Sequence, residues 1–514
     1  MSSDAVIFLV LAQAVTVANG ISGHGRRETA ISNYEVDVRA NEPIHVTNER
    51  FLSVTLGANE MRKHWMNFNF NSAKLQTMTR ALYPAYLRLG GLESDFLIFN
   101  TSCDEKSPAD TLLRRPHHKG YFCPGDWEAI NRFCENTGLK LIFGLNLLLR
   151  TKEGGWDPNN AEKLLDFNTH DVAWELGNEP NSYGAKANVT LSGSQIGADF
   201  NLFRSVLRER PRYARASVYG PDVSGIGGKR STALLTGFLS ETNTTNATTF
   251  HSYYLNSRTA TVDDFLDPET LDLLPDQIDL VESLVTRFRG QGSKVWLGES
   301  GSAYGGGAEN ISDRFVAGFL FLDKLGMSAK MGLDVVLRQT YYGGNYTMLD
   351  LQTLDPKPDY WIAYIYKHLV GPRVLRVKIT PMPTANDQGN VTKHHGKQYV
   401  RVYAHCTARS QSGYDAGAVT LMLLNMHRTD SANITLLRKP GAWIIQQYLL
   451  TPHGPDGMTS AEVKLNGRLF QLKNDTILPD IEPFQINRGS PILLPPLSFG
   501  FYVVPKAKAE ACMA

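Results

Sequence analysis

Between Phe51 and about Tyr342, short runs rich in apolar and β-branched residues alternate with longer polar or amphipathic stretches. A strand covered on both faces reads as a continuous apolar run, and a helix lying outside such a sheet reads with a period of 3.6. The alternation therefore predicts βα units and a parallel sheet. Strands are expected at 51–56, 85–89, 139–145, 172–176, 216–219, 249–253, 294–297 and 335–340. Eight such strands close a (β/α)8 barrel. Helices are expected between them, at 126–136, 197–209, 276–289 and 313–325 among others.

After a helical stretch at 360–368 the pattern changes. Apolar alternation with period two appears at 374–379, 399–405, 418–425, 443–450, 463–472 and 499–504, separated by turn residues and without a helix of useful length. That is the signature of an antiparallel β-sandwich. Residues 34–46 also alternate and are expected to add a strand to it. The organisation expected is a leader at 1–20, an N-terminal segment at 21–50, a barrel at 51–372 and a sandwich at 373–514.

The leader rests on the apolar run from Ala5 to about Ala18, which suits a signal-peptide core and is short for a membrane span. Asp4 stands where a basic residue is usual, and a buried N-terminal helix is the alternative. Secretion is also favoured by Asn-Xaa-Ser/Thr acceptors at Asn100, Asn188, Asn243, Asn246, Asn310, Asn345, Asn390, Asn433 and Asn474. No other run is long enough for a transmembrane helix. The five cysteines form two groups, Cys103, Cys123 and Cys134, then Cys406 and Cys512. A Cys406–Cys512 disulfide and one bridge within the first group are expected, the latter pairing left open. None has the paired spacing of a zinc site.

The 52 basic and 51 acidic residues balance, so an acidic polymer would have to meet a local patch rather than a global field. Two such patches occur: Arg114-Arg115-Pro-His117-His118-Lys119, and Lys229-Arg230. Protonation of His117 and His118 would add charge to the first at acidic pH. A solvated charge run is the plainer reading of both. Nucleic acid is a poor partner, because no basic domain or aromatic-basic motif accompanies them.

Two segments carry candidate chemistry, Trp174-Glu-Leu-Gly-Asn-Glu-Pro-Asn181 and Val295-Trp-Leu-Gly-Glu-Ser-Gly-Ser302. Each sets a glutamate, Glu179 or Glu299, just past an apolar strand. In a barrel that is the C-terminal rim, where active sites are assembled. Paired carboxylates suit glycosidic hydrolysis because one must donate a proton to the leaving oxygen while the other, ionised, attacks the anomeric carbon. Burial and the ionised partner are expected to raise the acid's pKa. Helix caps or ion pairs are the plainer roles for either glutamate.

Asn-Glu-Pro after strand 4 resembles the acid/base motif of the barrel clan whose catalytic glutamates end strands 4 and 7. Leu141-Ile-Phe-Gly-Leu-Asn146, Tyr253-Tyr-Leu-Asn-Ser-Arg-Thr-Ala-Thr261, Lys294-Val-Trp-Leu-Gly-Glu299, Ser302-Ala-Tyr-Gly-Gly-Gly-Ala308 and Asp359-Tyr-Trp361 are similar to the heparanase family, over a stretch from about Phe51 to the end. Members are endo-β-glucuronidases of heparan sulfate that need no metal or organic cofactor, which agrees with the lack of any metal-ligand cluster or phosphate loop. The resemblance implies Glu179 as acid/base, Glu299 as nucleophile and Asn178 as donor to the sugar 2-hydroxyl. It implies a glucuronate carboxylate held by Gly305 and Gly306 N–H groups with Tyr346, and pocket positions for His251 and Gln339. Arg258 would pair with a sulfate or carboxylate. A core role for His251 and a surface ion pair for Arg258 are the alternatives.

Three departures stand out. Gly57 replaces a substrate-contacting aspartate, and Leu92 replaces a threonine near the pocket. Only about twenty residues, 100–119, occupy the place of the long linker that the family excises, so the protein is expected to act as one chain. Two rivals remain: an exo-acting β-glucuronidase on the same scaffold, and a silent heparan sulfate-binding regulator. The latter usually loses a catalytic carboxylate, whereas both are kept here. An acidic optimum is expected.

Overall fold

The structure, a computed structural model, describes residues 30–103, 119–382, 397–409, 412–437 and 444–513. The leader at 1–20, Arg114, Arg115, His117, His118 and the acceptor Asn390 lie outside the described residues.

Eight parallel strands form a closed barrel. In chain order these barrel strands 1 to 8 are Leu52–Gly57, Tyr86–Gly90, Lys140–Leu145, Ala173–Leu176, Val218–Val223, Ala247–Asn256, Val295–Tyr304 and Val335–Arg338. All eight expected strands are present, displaced by a few residues at their ends. Successive side chains on a strand point to opposite faces, so each strand gives one set to the barrel interior and one to the surrounding helices. The lower interior is an apolar and aromatic plug of Tyr86, Ile142, Ala173, Tyr219, Ala247, Trp296, Val335 and Leu337. Trp296 lies 4.0 Å from Tyr219 and 5.3 Å from Tyr86, ring centre to ring centre. Two residues further up the same faces come Arg88 above Tyr86 and Glu175 above Ala173, which starts a polar layer directly beneath the rim.

Outside the barrel the described residues form a 12-stranded sheet and a small two-stranded one, Leu97–Phe99 with Gly120–Phe122. The central strands of the larger sheet, Ser498–Val504, Val419–Asn425, Val400–Thr407 and Val370–Pro381, are antiparallel as expected. The early strand Ile31–Arg39 enters this sheet antiparallel to Val370–Pro381 and parallel to Ser431–Leu436. That parallel pair departs from a purely antiparallel sheet. The strands Ser431–Leu436, Phe484–Ile486 and Ile492–Leu494 were not legible, being short and interrupted by polar residues. One face of the sheet closes its own core around Val36, Leu375, Leu421, Ile434 and Tyr502. The other packs on the barrel. Helix Ala317–Lys330 is caught between and is buried from Ala317 to Ala329, Asp323 and Lys324 included. Phe499 stacks on Phe315 at 4.8 Å, and the Tyr403 hydroxyl donates to Asp323 Oδ1 at 2.5 Å. Disulfides join Cys406 to Cys512 and Cys103 to Cys123, leaving Cys134 buried and free.

Candidate active site

Barrel strand 4 ends at Leu176, and the chain turns sharply through Gly177, Asn178 and Glu179. Gly177 has φ +82°, and a Cβ there would come within 2.7 Å of Leu147 and the Tyr183 hydroxyl. Only glycine meets both demands. Glu179 itself takes a left-handed conformation, φ 51° and ψ 56°, uncommon for a residue with a side chain. The Asn178 N–H donates to Asp95 Oδ2 at 2.9 Å and to the Tyr183 hydroxyl at 3.2 Å. Its side-chain Oδ1 accepts from Arg88 Nη2 at 3.0 Å. The amide is thereby oriented with Nδ2 as its remaining donor.

Glu299 is aimed by a different device. Strand 7 pairs Leu297 with Phe250 but Glu299 with His251, so Gly298 is an extra residue, a β-bulge. Such a bulge re-aims the side chain that follows it. Trp296 and Glu299 both point inward as a result, three residues apart. A Cβ on Gly298 would lie 2.5 Å from Asp222 Oδ1. Glu299 Oε2 accepts from Arg88 Nη1 at 3.0 Å, and Oε1 accepts from the Tyr253 hydroxyl at 2.6 Å.

The two glutamates meet across His251. One carboxylate oxygen from each, together with a His251 ring nitrogen, lie within 4.8 Å of one another. His251 Nδ1 is 3.1 Å from Glu179 Oε1. Its Nε2 is 3.2 Å from Asp222 Oδ1, close enough for an ion pair but not aligned for a hydrogen bond. Burial opposes charge on this ring, but the Glu299 and Asp222 carboxyls, and the close contact with Glu179, outweigh it and raise its pKa to about 10. The raised pKa favours the protonated ring, which donates from Nδ1 to Glu179.

Beneath them Arg88, 1% exposed, also donates from Nε to Glu175 Oε2 at 2.6 Å and from Nη2 to Asp222 Oδ2 at 2.9 Å. Burial pushes the Glu175 carboxyl up to about 8 despite the neighbouring guanidinium. Burial would raise Asp222 too, but Arg88 and His251 hold it well below the usual carboxylate range. Glu179 behaves in the same way. Burial pushes it up, but His251 and Lys186, whose Nζ is 2.7 Å from Oε2, bring it down to about 2. The expected rise of the acid's pKa is thus not met in the free site, because two cations face this carboxyl.

The profile of glycosyl hydrolase family 79, N-terminal domain, matches residues 58–326, more than half of the chain. The chain belongs to this family. It is 38% identical to the heparanase of Gallus gallus over 93% of this chain and 96% of that one. It is also 32% identical to the inactive heparanase-2 of Homo sapiens, over 93% and 89%. Among solved structures, the GH51 arabinofuranosidase of Xanthomonas axonopodis pv. citri superposes with a TM-score of 0.66 at 12% identity, covering 92% of this chain and all of that one. That likeness concerns the fold alone.

The remaining expected positions fall around this family 79 site in unequal ways. Gly305 and Gly306, at φ +84° and +100°, follow strand 7. Asn345 N donates to the Gly306 carbonyl at 2.7 Å, which ties their loop to the one carrying Tyr346. The Tyr346 ring lies 6.3 Å from Tyr253. Gln339 directly follows strand 8 and accepts a hydrogen bond from Thr55. Arg258 is exposed on the loop after strand 6, with no ion-pair partner among the described residues. Lys229 and Arg230 open helix Lys229–Glu241 on the same rim, both exposed. Lys119 is exposed. Gly57 closes strand 1 opposite Gly90, and Leu92 begins the short 3-10 helix Leu92–Phe96 that carries Asp95. Of the described asparagines in Asn-Xaa-Ser/Thr triplets, Asn188, Asn243, Asn246, Asn310, Asn345 and Asn474 are exposed, and Asn100 and Asn433 are partly buried.

Sequence reasoning missed Arg88, Asp222, Tyr253 and Lys186. The available signal was a charged residue inside an apolar strand, as in Tyr86-Leu-Arg-Leu-Gly90 and Trp174-Glu-Leu176. A strand covered on both faces has no solvent side to take such a charge.

Proposed function

We propose that this family 79 glycoside hydrolase is a retaining endo-β-glucuronidase of heparan sulfate, with Glu179 as acid/base and Glu299 as nucleophile. The observation that carries the reading is the approach of their carboxylate oxygens to within 4.8 Å. Retaining pairs stand about 5–5.5 Å apart, whereas inverting pairs stand about 6.5–9.5 Å apart to admit a water. Glu299, fixed by Arg88 and Tyr253, attacks the anomeric carbon as Glu179 protonates the leaving oxygen. A glycosyl-Glu299 ester forms and the reducing-end fragment departs. Glu179 then takes a proton from water, which hydrolyses the ester with net retention.

Asn178 Nδ2 donates to the 2-hydroxyl. The Gly305 and Gly306 N–H groups, with Tyr346, receive the glucuronate carboxylate; glycine permits that close backbone approach. Lys229, Arg230 and Arg258 engage sulfates along the chain, joined by Arg114, Arg115 and Lys119. No metal or organic cofactor enters these steps. Export and glycosylation at the nine acceptors belong to the same reading, as does action as a single chain. The Cys103–Cys123 bridge brackets residues 104–122, so a single cut there would leave both fragments joined until reduction. Intact mass of the exported protein, before and after reduction, reads this directly.

The deciding experiment is digestion of heparan sulfate at mildly acidic pH, beside Glu179→Gln and Glu299→Gln. Shortened chains from the wild type, lost in both variants, support the assignment. Free glucuronate in place of oligosaccharides would identify the exo rival. Intact chains that stay tightly bound would identify a silent binding protein, the reading favoured by the likeness to inactive heparanase-2.

A further inference from the structure

We propose that Lys186 is a latch on the acid/base: it sits on Glu179 in the free enzyme, and an anionic group on the leaving side of the bound chain draws it away, so the polymer switches on its own proton donor. The inference rests on the assignment of Glu179 above and adds a positioning residue to it.

The latch follows from local folding. After Glu179 the chain makes a 3-10 turn at Pro180–Ser182, closed by Ser182 N and Oγ donating to the Glu179 carbonyl at 2.8 and 2.7 Å. Helix Tyr183–Lys186 follows at once. This doubling back returns the Lys186 side chain to Glu179 Oε2 at 2.7 Å. The two cations on Glu179 differ in freedom. The His251 side chain is 0% exposed and wedged between Glu179 and Asp222, whereas the Lys186 side chain is 26% exposed. Only Lys186 has room to leave.

It also has a reason to leave. The Arg230 guanidinium lies against the same helix, since a Cβ built on Gly184 would be 3.2 Å from its Nη2. Lys229 is the adjacent residue and is exposed. Lys186 and Arg230 thus share one stretch of rim, with Lys229 next along the chain, and a sulfate or carboxylate arriving there competes with Glu179 for Lys186.

The groups that face Glu179 set the sign. Lys186 comes from its own loop, His251 and Tyr253 from strand 6, Asp222 from strand 5, Glu299 from strand 7, Arg88 from strand 2 and Asp95 from the helix after strand 2. All but Lys186 are buried or pinned by contacts already described. Removing Lys186 takes away a positive neighbour, and the substrate anion adds a negative one; both raise the proton affinity of Glu179. The carboxyl then takes a proton from solvent and passes it to the leaving oxygen. Departure of the anionic fragment returns Lys186 to Glu179 and favours the carboxylate, the form that deprotonates water in the second half-reaction. That proton goes back to solvent, and the cycle balances.

The test compares wild type, Lys186→Met and Lys186→Arg on sulfated and desulfated heparan oligosaccharides of one length, with an aryl β-glucuronide as control. The alkaline limb of a pH profile reports the acid, in kcat/KM for the free enzyme and in kcat for the complex. On the sulfated substrate, the wild-type limb should lie at least one pH unit higher in kcat than in kcat/KM. In Lys186→Met the two limbs should converge, and the sulfated-to-desulfated ratio of kcat should fall at least fivefold. Lys186→Arg should keep most of both effects. A wild type with coincident limbs, or a Lys186→Met variant that keeps the gap, overturns the latch. Independently of turnover, carbon-13 titration of the Glu179 carboxyl in Glu299→Gln should move upward when a heparin hexasaccharide is added. No movement also overturns it. Failure of the wild type to cleave polymer or aryl glucuronide, with the titration shift intact, removes the hydrolase assignment and with it the proton-donor role, while the displacement of Lys186 by a bound anion stands.

Discussion

Two strand ends carry the two glutamates, and they are built on opposite plans. The end of strand 7 is rigid: a bulge at Gly298 points Glu299 inward, and Arg88 and Tyr253 hold one oxygen each. The end of strand 4 is a strained turn whose glutamate meets one buried cation and one partly exposed cation. The difference matches what double displacement asks of each side chain. A nucleophile keeps one ionisation state until it forms a bond, so a guanidinium and a phenol that do not titrate in the working range suit it. An acid/base must gain and lose a proton in every turnover, so its neighbours must be able to change.

The sharpest break between the two ends should come from Glu299→Gln and Glu179→Gln assayed on two substrates. Loss of the nucleophile should lower kcat by roughly 10^4-fold or more on heparan sulfate and on an aryl β-glucuronide alike. Loss of the acid/base should cost about 10^2–10^4-fold on the polymer. On the aryl glucuronide the first half-reaction should survive in Glu179→Gln, because a phenolate leaves without help, and an initial burst of phenol should be seen. Equal burst loss in both variants would mean that the roles are not divided as assigned.

Next in size is Arg88→Met. Arg88 touches Glu175, Asn178, Asp222 and Glu299, and deleting one partner of a buried ion pair typically costs about 3–5 kcal/mol. Denaturant unfolding should show a loss of that order. The damage is expected to be unequal, with Glu299 losing its only cationic hydrogen-bond donor among the described residues while Glu179 keeps two. An unchanged midpoint would mean that the carboxyls beneath the rim are neutral and need no partner.

Arg88 also marks where the sequence stops being legible. The eight strands were readable because a buried parallel strand is an uninterrupted apolar run, and the glutamates were readable because Gly-Asn-Glu-Pro and Gly-Glu-Ser follow such runs directly. Arg88 and Glu175 sit inside the runs, where a charge looks like an interruption. Their partners lie 87 to 211 residues away in the chain, so no local pattern can pair them. Lys186 is only seven residues from Glu179, yet the 3-10 turn that returns it is not a periodic feature. The expected upward shift of Glu179 failed for the same reason. The burial and the carboxylate neighbour could be anticipated, but not His251 and Lys186 converging on it.

Gly298→Ala sharpens the contrast more gently. The added methyl would lie 2.5 Å from Asp222 Oδ1, so the bulge or the carboxylate must shift. Overpacking of this kind costs about 1–3 kcal/mol. Because the bulge aims Glu299 and not Glu179, the kinetic loss should fall on kcat for both substrates and leave heparin binding, measured by calorimetry, within about twofold. Weakened binding with unchanged kcat would show that the bulge shapes the cleft rather than the nucleophile.

The smallest effect separates the ends by titration. The cation under Glu299 is a guanidinium that stays charged throughout the accessible range, whereas the buried cation on Glu179 is an imidazolium. His251 has its folded pKa raised to about 10, above an unfolded value of about 6.5. Its contribution to stability is therefore complete below about pH 6.5 and declines as pH rises toward 10. Glu179 is shifted the other way, to about 2, so its contribution is complete above about pH 4.3 and is lost as pH falls toward 2. The two windows overlap between about pH 4.3 and 6.5, where the strand-4 end is at its firmest. In wild type the Tm should fall by on the order of a few degrees between pH 6.5 and 9.5 from this source. Subtracting the Tm profile of His251→Gln isolates it from other titrating groups. A difference profile that is flat over that range would place the proton elsewhere and leave His251 a neutral spacer between Glu179 and Asp222.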